Sequence, residues 1–303
     1  MNQEQIRNTV ITSIFSNDIL LDKLTLKGGN ALEFQGVTDR ASQDIDFAIT
    51  EGVNFNCEKY GPMIKKSLID GFADAGYEVI NFKLDVRPQK KSKVIEQYNS
   101  KIDFEDIVWG GYHIKFGIIQ KEKYESLIEN HVENIGAHAE TTWENKKNIE
   151  IDLSKEEYTD PREEKELDGY TIYIYTPIML VYEKIRASCQ QLPEYTIGSS
   201  KERARDLSDI YGIIIQTDNL YEQILDPQNI YILKKMFILK GVDFKLLTKL
   251  SSYKEELAKD YISNVLPQIR SDKNKQDFDF IFSFAETLFK KVYELVVLLQ
   301  SFK

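Results

Sequence analysis

Cysteine and histidine are scarce in the sequence, and their spacing excludes the common metal and redox motifs. Only two of the 303 residues are cysteine, Cys57 and Cys189, and their separation matches neither a zinc-binding nor a redox motif. We expect both to be reduced packing residues of a cytoplasmic protein. The three histidines, His113, His131 and His138, show no metal-binding spacing either, and we interpret them as ordinary core or surface residues.

Long apolar segments are also missing from the sequence. No apolar run approaches the roughly 20 residues that a helix needs to cross a bilayer. The opening segment "MNQEQIRNTV" lacks the cationic and then apolar layout of a signal peptide. Repeats, low-complexity tracts and flexible linkers are absent from the sequence as well. We therefore expect a cytoplasmic globular protein that has no membrane partner.

Positive charge is in short supply, which bears on nucleic-acid binding. The chain has 39 Lys and Arg residues against 49 Asp and Glu residues, giving a net charge of −10. This balance argues against a general nucleic-acid binder, because affinity for phosphate backbones is mostly electrostatic. Residues 83–93 and the lysines between Lys234 and Lys254 are nevertheless locally basic. A basic face on an acidic protein is one interpretation of these runs, and solvated surface is the simpler one.

The two halves of the chain differ in their apolar periodicity. Residues 1–175 mix helical and strand-like patterns, whereas only helical patterns follow Pro177. We predict an α+β protein with a mixed β-sheet domain at 1–175 and an all-helical domain at 176–303 that completes an active-site cleft. The predicted helices of the first half are 3–15, one that begins at Asn30 and one that ends at Gly76. The predicted strands are 24–27, "QDIDFAI", 78–86, 102–108, 111–119, 148–154 and 170–176.

The segment "LKGGNALEFQGVTDRASQDIDF" combines two features that a fold alone does not require. Asp44 and Asp46 are two residues apart in a predicted strand, so their carboxylates share one side and repel each other. Divalent cations bound between them would remove that repulsion. Gly28 and Gly29 form a predicted turn before a helix, where backbone N–H groups suit a phosphate. Together these features predict a pocket for a metal-bound nucleoside triphosphate.

Several segments in order resemble a known enzyme family. "LKGGNAL", "RASQDIDF", "YEKIRA" and "ERARDLSDIY" together resemble the AbiEii/AbiGii-type nucleotidyltransferase toxins of bacterial abortive-infection, type IV toxin–antitoxin systems. The resemblance covers roughly residues 22–215, and it implies the nucleotidyltransferase fold. The sequence departs from the family pattern at Asn30, where Thr or Ser is common.

The resemblance also implies roles for individual residues. Two metal-binding acids are implied at Asp44 and Asp46, and a third is expected on the strand of "NIEIDLS", where Asp152 resembles the third acid of the fold and Glu150 is the alternative. Lys184 is expected to meet triphosphate charge, and Asp206 to orient Lys184 or a base. For Arg205 and Asp209, a functional role and a purely structural role in a salt bridge or helix cap are equally good interpretations. The predicted catalytic residues are Asp44, Asp46, Lys184 and Asp206, and the predicted nucleotide-binding residues are Lys27, Gly28, Gly29, Asn30, Arg40 and Ser42.

These residues lead to a functional hypothesis. Two Mg²⁺ ions are expected to hold an NTP from which NMP is transferred to RNA, with tRNA the leading candidate, so that translation is blocked. By resemblance, the protein acts in phage defence and is restrained by a cognate antitoxin that is encoded nearby, without an implied stable complex. One alternative keeps the chemistry and changes the acceptor to a protein or small molecule, which the acidic composition favours. A second alternative is a nucleotide-binding module that has lost catalysis.

Overall fold

The computed structural model describes residues 1–37, 44–87, 110–195, 203–269 and 275–299. The chain divides into two compact units. The first comprises Met1–Glu33 and Asp39–Tyr175, and the second comprises Phe34–Thr38 and Thr176–Lys303. The first unit contains a β-sheet with helices, and the second is built from helices in the part that is described. The predicted α+β class is therefore confirmed.

The first unit contains a seven-stranded mixed sheet with the order β3-β4-β5-β2-β1-β7-β6. The pairs β1–β7 and β2–β5 are parallel, and the remaining neighbours are antiparallel. The strands are β1 (Leu24–Lys27), β2 (Ile45–Thr50), β3 (Tyr77–Arg87), β4 (Gly111–Gln120), β5 (Ile149–Glu157), β6 (Glu163–Leu167) and β7 (Tyr170–Ile174).

Among the described residues, five helices accompany the strands of this sheet, and two of them cover its apolar face. They are α1 (Gln3–Phe15), α2 (Asp18–Leu21), α3 (Gly28–Phe34), α4 (Cys57–Asp74) and α5 (Lys121–Glu129), with 3₁₀ turns at Ile135–His138 and Trp143–Asn145. Phe15 of α1 packs edge-on against Phe47 of β2, with ring centroids 5.6 Å apart. Phe72 of α4 packs in the same way against Phe116 of β4, at 5.8 Å.

Alternation along the central strands decides which side chains meet these helices. Ile149, Ile151 and Leu153 of β5 are buried, as the apolar alternation of "NIEIDLS" predicts. Successive strand residues point to opposite faces. The polar residues between them, including Asp152, therefore point to the face opposite α1 and α4.

The second unit buries the apolar sides of its longer helices against one another. Its helices are α6 (Pro177–Gln190), α7 (Ala204–Gln216), α8 (Leu220–Ile224), α9 (Ile230–Leu239), α10 (Lys254–Asp260) and α11 (Phe278–Leu298), with 3₁₀ turns at Phe244–Thr248, Leu250–Tyr253 and Leu266–Gln268 and a π-helical turn at Tyr261–Val265. Pro177 occupies the first turn of α6, where a missing N–H costs nothing. Leu207, Ile210 and Ile214 form the buried side of α7.

The structure differs from the sequence predictions in a few elements. Helix α3 begins at Gly28 instead of Asn30, and β2 begins at Ile45, so that Asp44 lies just before the strand. Helix α5 and strand β6 were not predicted. The predicted strand at 102–108 lies outside the described residues. None of the described helices is long and apolar enough to span a bilayer.

Candidate active site

Four polar residues lie in one row across four neighbouring strands. His113 of β4 pairs directly with Asp152 of β5, Asp152 pairs with Asp46 of β2, and Asp46 pairs with Lys27 of β1. Directly paired residues of a sheet project from the same face. Two carboxylates therefore stand side by side at the centre of this row, with a nitrogen-bearing side chain at each end. We call His113, Asp152, Asp46 and Lys27 the polar row.

Gly28 brings the backbone of α3 against one of these carboxylates. It adopts a left-handed backbone conformation, with a φ of +66°, which residues with a side chain rarely adopt. A Cβ atom at this position would lie 2.6 Å from Oδ2 of Asp46. Only glycine therefore allows the chain to turn from β1 into α3 at this distance from the acid. The predicted meeting of the glycine pair and the aspartate strand exists in the structure at this residue.

Asn30 connects the same helix to the other predicted metal ligand. Its side chain is fully buried, and its Nδ2 atom donates a hydrogen bond of 2.6 Å to the backbone oxygen of Asp44. Its Oδ1 atom is buried without a hydrogen-bond partner. The Asp44 side chain is exposed, whereas Asp46 is half-buried. Asn30 thus fixes the backbone at the point where the chain enters β2.

The two candidates for the third carboxylate have different partners on β4. Asp152 accepts a hydrogen bond from His113, with Nδ1 and Oδ1 2.8 Å apart. Glu150 forms an ion pair with Lys115, with Nζ and Oε1 3.0 Å apart. Burial disfavours the charged form of Glu150, but the hydrogen bond and charge of Lys115 outweigh it and lower the pKa of Glu150. Of the two acids, Asp152 is the one paired directly with Asp46.

Lys27, at the end of the polar row, forms a buried ion pair with Glu157. Its side chain is 9% exposed, and its Nζ atom lies 3.1 Å from Oε1 of Glu157, which is 3% exposed. Breaking such a buried pair by removing one partner is costly, because it leaves an uncompensated charge. Lys27 therefore stabilises the sheet beside Asp46, and its predicted contact with nucleotide stays a prediction.

The donor set of the polar row suits magnesium that is bound together with a substrate. Within the described residues, no group of three His, Cys, Asp or Glu side chains is placed to hold a metal ion unaided. Magnesium in phosphate-transfer sites is held by one or two carboxylates together with substrate phosphates and water. Asp46 and Asp152 supply two carboxylates on strands about 5 Å apart. The residues present therefore fit magnesium that arrives with a triphosphate.

A second polar cluster lies in the helical unit, around the predicted catalytic lysine. Nζ of Lys184 on α6 lies 3.0 Å from Oδ1 of Asp206 and 2.7 Å from Oδ2 of Asp209, both on α7. Nη1 of Arg203 lies 3.4 Å from Oδ2 of Asp206. The expected contact between Asp206 and Lys184 is present. Asp209 forms a salt bridge with Lys184, which is one of the roles considered for it from the sequence. Arg205 donates a hydrogen bond to Gln268.

Opposite charges keep Lys184 and Asp206 of this cluster ionised despite burial. Burial opposes the positive charge of Lys184, but Asp206 and Asp209 outweigh it and hold the pKa of Lys184 above its ordinary value. Burial likewise opposes the negative charge of Asp206, but Lys184 and Arg203 lower the pKa of Asp206. The cluster is therefore an ion network at neutral pH, with two positive and two negative side chains.

The structure leaves two predicted residues undescribed and adds others. Arg40 and Ser42 lie outside the described residues. His113 and Arg203 contact predicted site residues, although neither was assigned a role from the sequence. Strand pairing brings His113 to Asp152 from 39 positions away, and spacing along the chain carries no signal for such a contact.

Comparisons with solved structures found similar proteins of low sequence identity. A Helicobacter pylori protein, JHP933, has a TM-score of 0.45 and 14% identity, with 99% of this chain and 94% of that chain covered. The nucleotidyltransferase toxin MenT4 from Mycobacterium tuberculosis has a TM-score of 0.40 and 13% identity, with 97% and 82% covered. A search of curated proteins found no match.

A comparison with protein-family models gave a match over most of the chain. The matching family is described as "Nucleotidyl transferase AbiEii toxin, Type IV TA system", and the match covers residues 10–283. It therefore includes the glycine pair, the polar row and the Lys184 cluster. The chain belongs to the AbiEii family of nucleotidyltransferase toxins of type IV toxin–antitoxin systems.

Proposed function

We propose that this toxin transfers a nucleoside monophosphate from an NTP to RNA, with tRNA the leading acceptor, and thereby blocks translation. The observation that carries the proposal is the direct pairing of Asp46 with Asp152 beside Gly28. Two carboxylates paired in this way repel each other, and a divalent cation bound between them would remove that repulsion. A metal-bound nucleotide supplies such a cation.

The proposed metal ligands are Asp44, Asp46 and Asp152. Bound magnesium, expected as two ions, supplies positive charge that neutralises the phosphates and makes an acceptor hydroxyl more acidic. The protein contributes the fixed positions of these acids, with Asn30 holding the backbone of Asp44. The backbone at Gly28 and Gly29 is proposed to lie along the triphosphate, since no side chain separates it from Asp46.

The proposed reaction is an in-line displacement at the α-phosphorus of the NTP. The acceptor oxygen forms a bond to that phosphorus and loses its proton to solvent, while the bond to the β-phosphate oxygen breaks and pyrophosphate leaves. The protein holds the triphosphate so that the α-phosphorus faces the acceptor. Positioning and charge neutralisation, in preference to covalent catalysis, account for the acceleration.

Lys184 and Asp206 are proposed to be essential for this transfer, as the family resemblance implies. The ammonium of Lys184 is fixed by two carboxylates, so its position is well defined. A lysine side chain held in this way loses little further conformational entropy when its ammonium group meets a substrate charge. Removing Asp206 would leave Lys184 with one carboxylate, that of Asp209, and Arg203 without this partner.

The proposal is tested by incubating the purified protein with each of the four α-³²P-labelled NTPs, total bacterial RNA and Mg²⁺. We expect label in RNA, concentrated in the tRNA band, from one or more NTPs. Asp46→Asn and Lys184→Met are expected to remove the labelling. Gln216→Ala, an exposed change at the end of α7, serves as the active control.

Other outcomes of this assay separate the competing functions. Label in protein, or in a small-molecule fraction, contradicts an RNA acceptor while preserving the chemistry. Labelling that Asp46→Asn leaves unchanged contradicts the proposed site. Nucleotide binding without labelling of any fraction indicates a module that has lost catalysis.

The biological setting is proposed from the family as well. Type IV toxin–antitoxin systems pair each toxin with an antitoxin, so we propose a cognate antitoxin encoded nearby and a role in defence against phage. We propose no stable complex between the two proteins. The proposed site of action is the cytoplasm, where NTPs and tRNA are abundant.

A further inference from the structure

We propose that His113 is a positioning residue that orients Asp152, and that Asp152, not Glu150, is the metal ligand on β5. This inference rests on the proposed function, because it concerns the metal ligands of that site. It also assigns a role to a histidine that no spacing in the sequence singles out. Three independent features of the sheet support it.

The first feature is the pairing of β2 with β5. Ile45 pairs with Ile151 and Asp46 with Asp152, so these two aspartates are nearest neighbours on the polar face. Glu150 lies two residues earlier on β5, level with Asp44 and not with Asp46. A ligand that shares a cation with Asp46 is therefore best placed at Asp152, because neighbouring strands lie only about 5 Å apart.

The second feature is the hydrogen bond that His113 makes. Its Nδ1 atom lies 2.8 Å from Oδ1 of Asp152. The His113 side chain is only 11% exposed, whereas Asp152 is 55% exposed. A side chain packed in the sheet thus holds one oxygen of a carboxylate that otherwise faces solvent. Hydrogen bonds of this kind fix the orientation of ligating carboxylates in metal sites.

The third feature is the different state of Glu150. Its Oε1 atom lies 3.0 Å from Nζ of Lys115, so its charge is compensated by an ammonium group. A metal ion would have to displace or repel this lysine in order to use Glu150. The residue of β4 that pairs with Asp152 is His113, which orients the acid through a hydrogen bond. Strands β4 and β5 therefore provide one acid whose charge is compensated, Glu150, and one acid whose side chain is oriented, Asp152.

The proposal is tested by measuring Mn²⁺ affinity through the EPR signal of the free ion. The titration includes the non-hydrolysable α,β-methylene analogue of the NTP that the labelling assay selects. We expect His113→Phe to weaken Mn²⁺ binding about tenfold, the lower end of the range for residues that orient metal ligands. Lys115→Met, which breaks the neighbouring pair on the same strands, is the matched control and is expected to leave the affinity unchanged.

A double-mutant cycle distinguishes positioning from a general structural effect. If His113 acts through Asp152, adding His113→Phe to Asp152→Asn causes no further loss of affinity. His113→Gln, which retains a donor, is expected to recover part of the lost affinity. An undiminished effect of His113→Phe in the Asp152→Asn background contradicts the proposal.

The two acids also provide a test that does not depend on the folding of a His113 variant. Both carboxylates are substantially exposed, so Asp152→Asn and Glu150→Gln are expected to fold. The proposal predicts weaker Mn²⁺ binding for Asp152→Asn alone, and it is overturned if Glu150→Gln has the larger effect. Asp46→Asn distinguishes a failure of the proposed role of His113 from a failure of the proposed function. Wild-type Mn²⁺ affinity and wild-type activity in that variant would contradict the proposed function itself.

Discussion

At the scale of single residues, the site depends on close approaches that tolerate little change. Gly28 lies against Asp46, Asn30 holds the backbone of Asp44, and His113 holds Asp152. Each contact joins an acid of the site to a residue on a different element. The Asp152 carboxylate and the backbone at Asp44 therefore have defined positions before any metal or nucleotide arrives, which reduces the reorganisation that binding requires.

Gly28→Ala is expected to abolish most activity through a steric effect on Asp46. The added Cβ atom would lie 2.6 Å from Oδ2 of Asp46, so the carboxylate must move. A displacement of about 1 Å in a positioned group can reduce the rate of transfer about 100-fold. The measurement is the rate of nucleotide transfer under saturating NTP, together with the urea midpoint of unfolding.

Gly52→Ala is the matched control for this prediction. Gly52 also has a positive φ, +73, but no atom lies within 4 Å of its added Cβ position. Both substitutions carry the backbone cost of about 1 kcal/mol for a left-handed residue with a side chain. Equal activity of Gly28→Ala and Gly52→Ala would contradict a steric effect on Asp46, because only Gly28 lies against that residue.

At the scale of elements, the sequence predicted those with a clear apolar pattern and missed those without one. Helix α1 and strand β1 have the predicted bounds because their apolar residues face the core. Strand β6, "EEKEL", is a charged strand at the end of the sheet order, and α5 has no buried residue. Strand β6 lacks the apolar alternation that identifies a strand. The few apolar residues of α5, including Tyr124 and Leu127, are only partly buried, against Ile80, Ile119 and Ala139.

The site was predictable only as far as local pattern reaches. The glycine pair and the two aspartates were found because they are close in sequence and belong to recognisable motifs. The choice between Glu150 and Asp152 depends on the pairing of β2 with β5, which joins residues about 100 positions apart. His113 depends on a second long-range pairing, between β4 and β5. Register of this kind is set by the whole sheet and is not readable from one strand.

The pairing of α6 with α7 predicts a specific dependence of stability on pH. The lowered pKa of Asp206 means that its stabilising contribution is present above about pH 3.9, the ordinary value, and is lost as pH falls through the folded value. We expect Asp206→Asn to lower the free energy of unfolding by about 3 kcal/mol at pH 7. The difference from wild type should shrink as pH falls below the ordinary value of about 3.9.

Urea unfolding followed by circular dichroism at several pH values checks this prediction. The raised pKa of Lys184 has the opposite sign, so its contribution is present below about pH 10.4 and is lost as pH rises through the folded value. Glu286→Gln, which breaks an i,i+4 pair with Lys290 on α11, is the control and should cost about 0.5 kcal/mol. A difference between Asp206→Asn and wild type that does not change with acid would contradict the assignment.

At the scale of the whole molecule, the chain combines a mixed sheet that carries the acids with a helical unit that carries the lysine network. Family membership extends over residues 10–283 and so includes both units. The net charge of −10 is unusual for a protein proposed to act on RNA. Recognition of RNA by such a chain would depend on local basic segments and on the metal-bound nucleotide more than on a general attraction to phosphate backbones.

The most direct measurement is anomalous diffraction from crystals of the full chain soaked with Mn²⁺ and a non-hydrolysable NTP analogue. We predict manganese peaks within about 2–2.5 Å of carboxylate oxygens of Asp44 and Asp46, with the phosphates alongside Gly28. A nucleotide bound elsewhere, or bound at Gly28 with no manganese at these two acids, would contradict the assignment of the site.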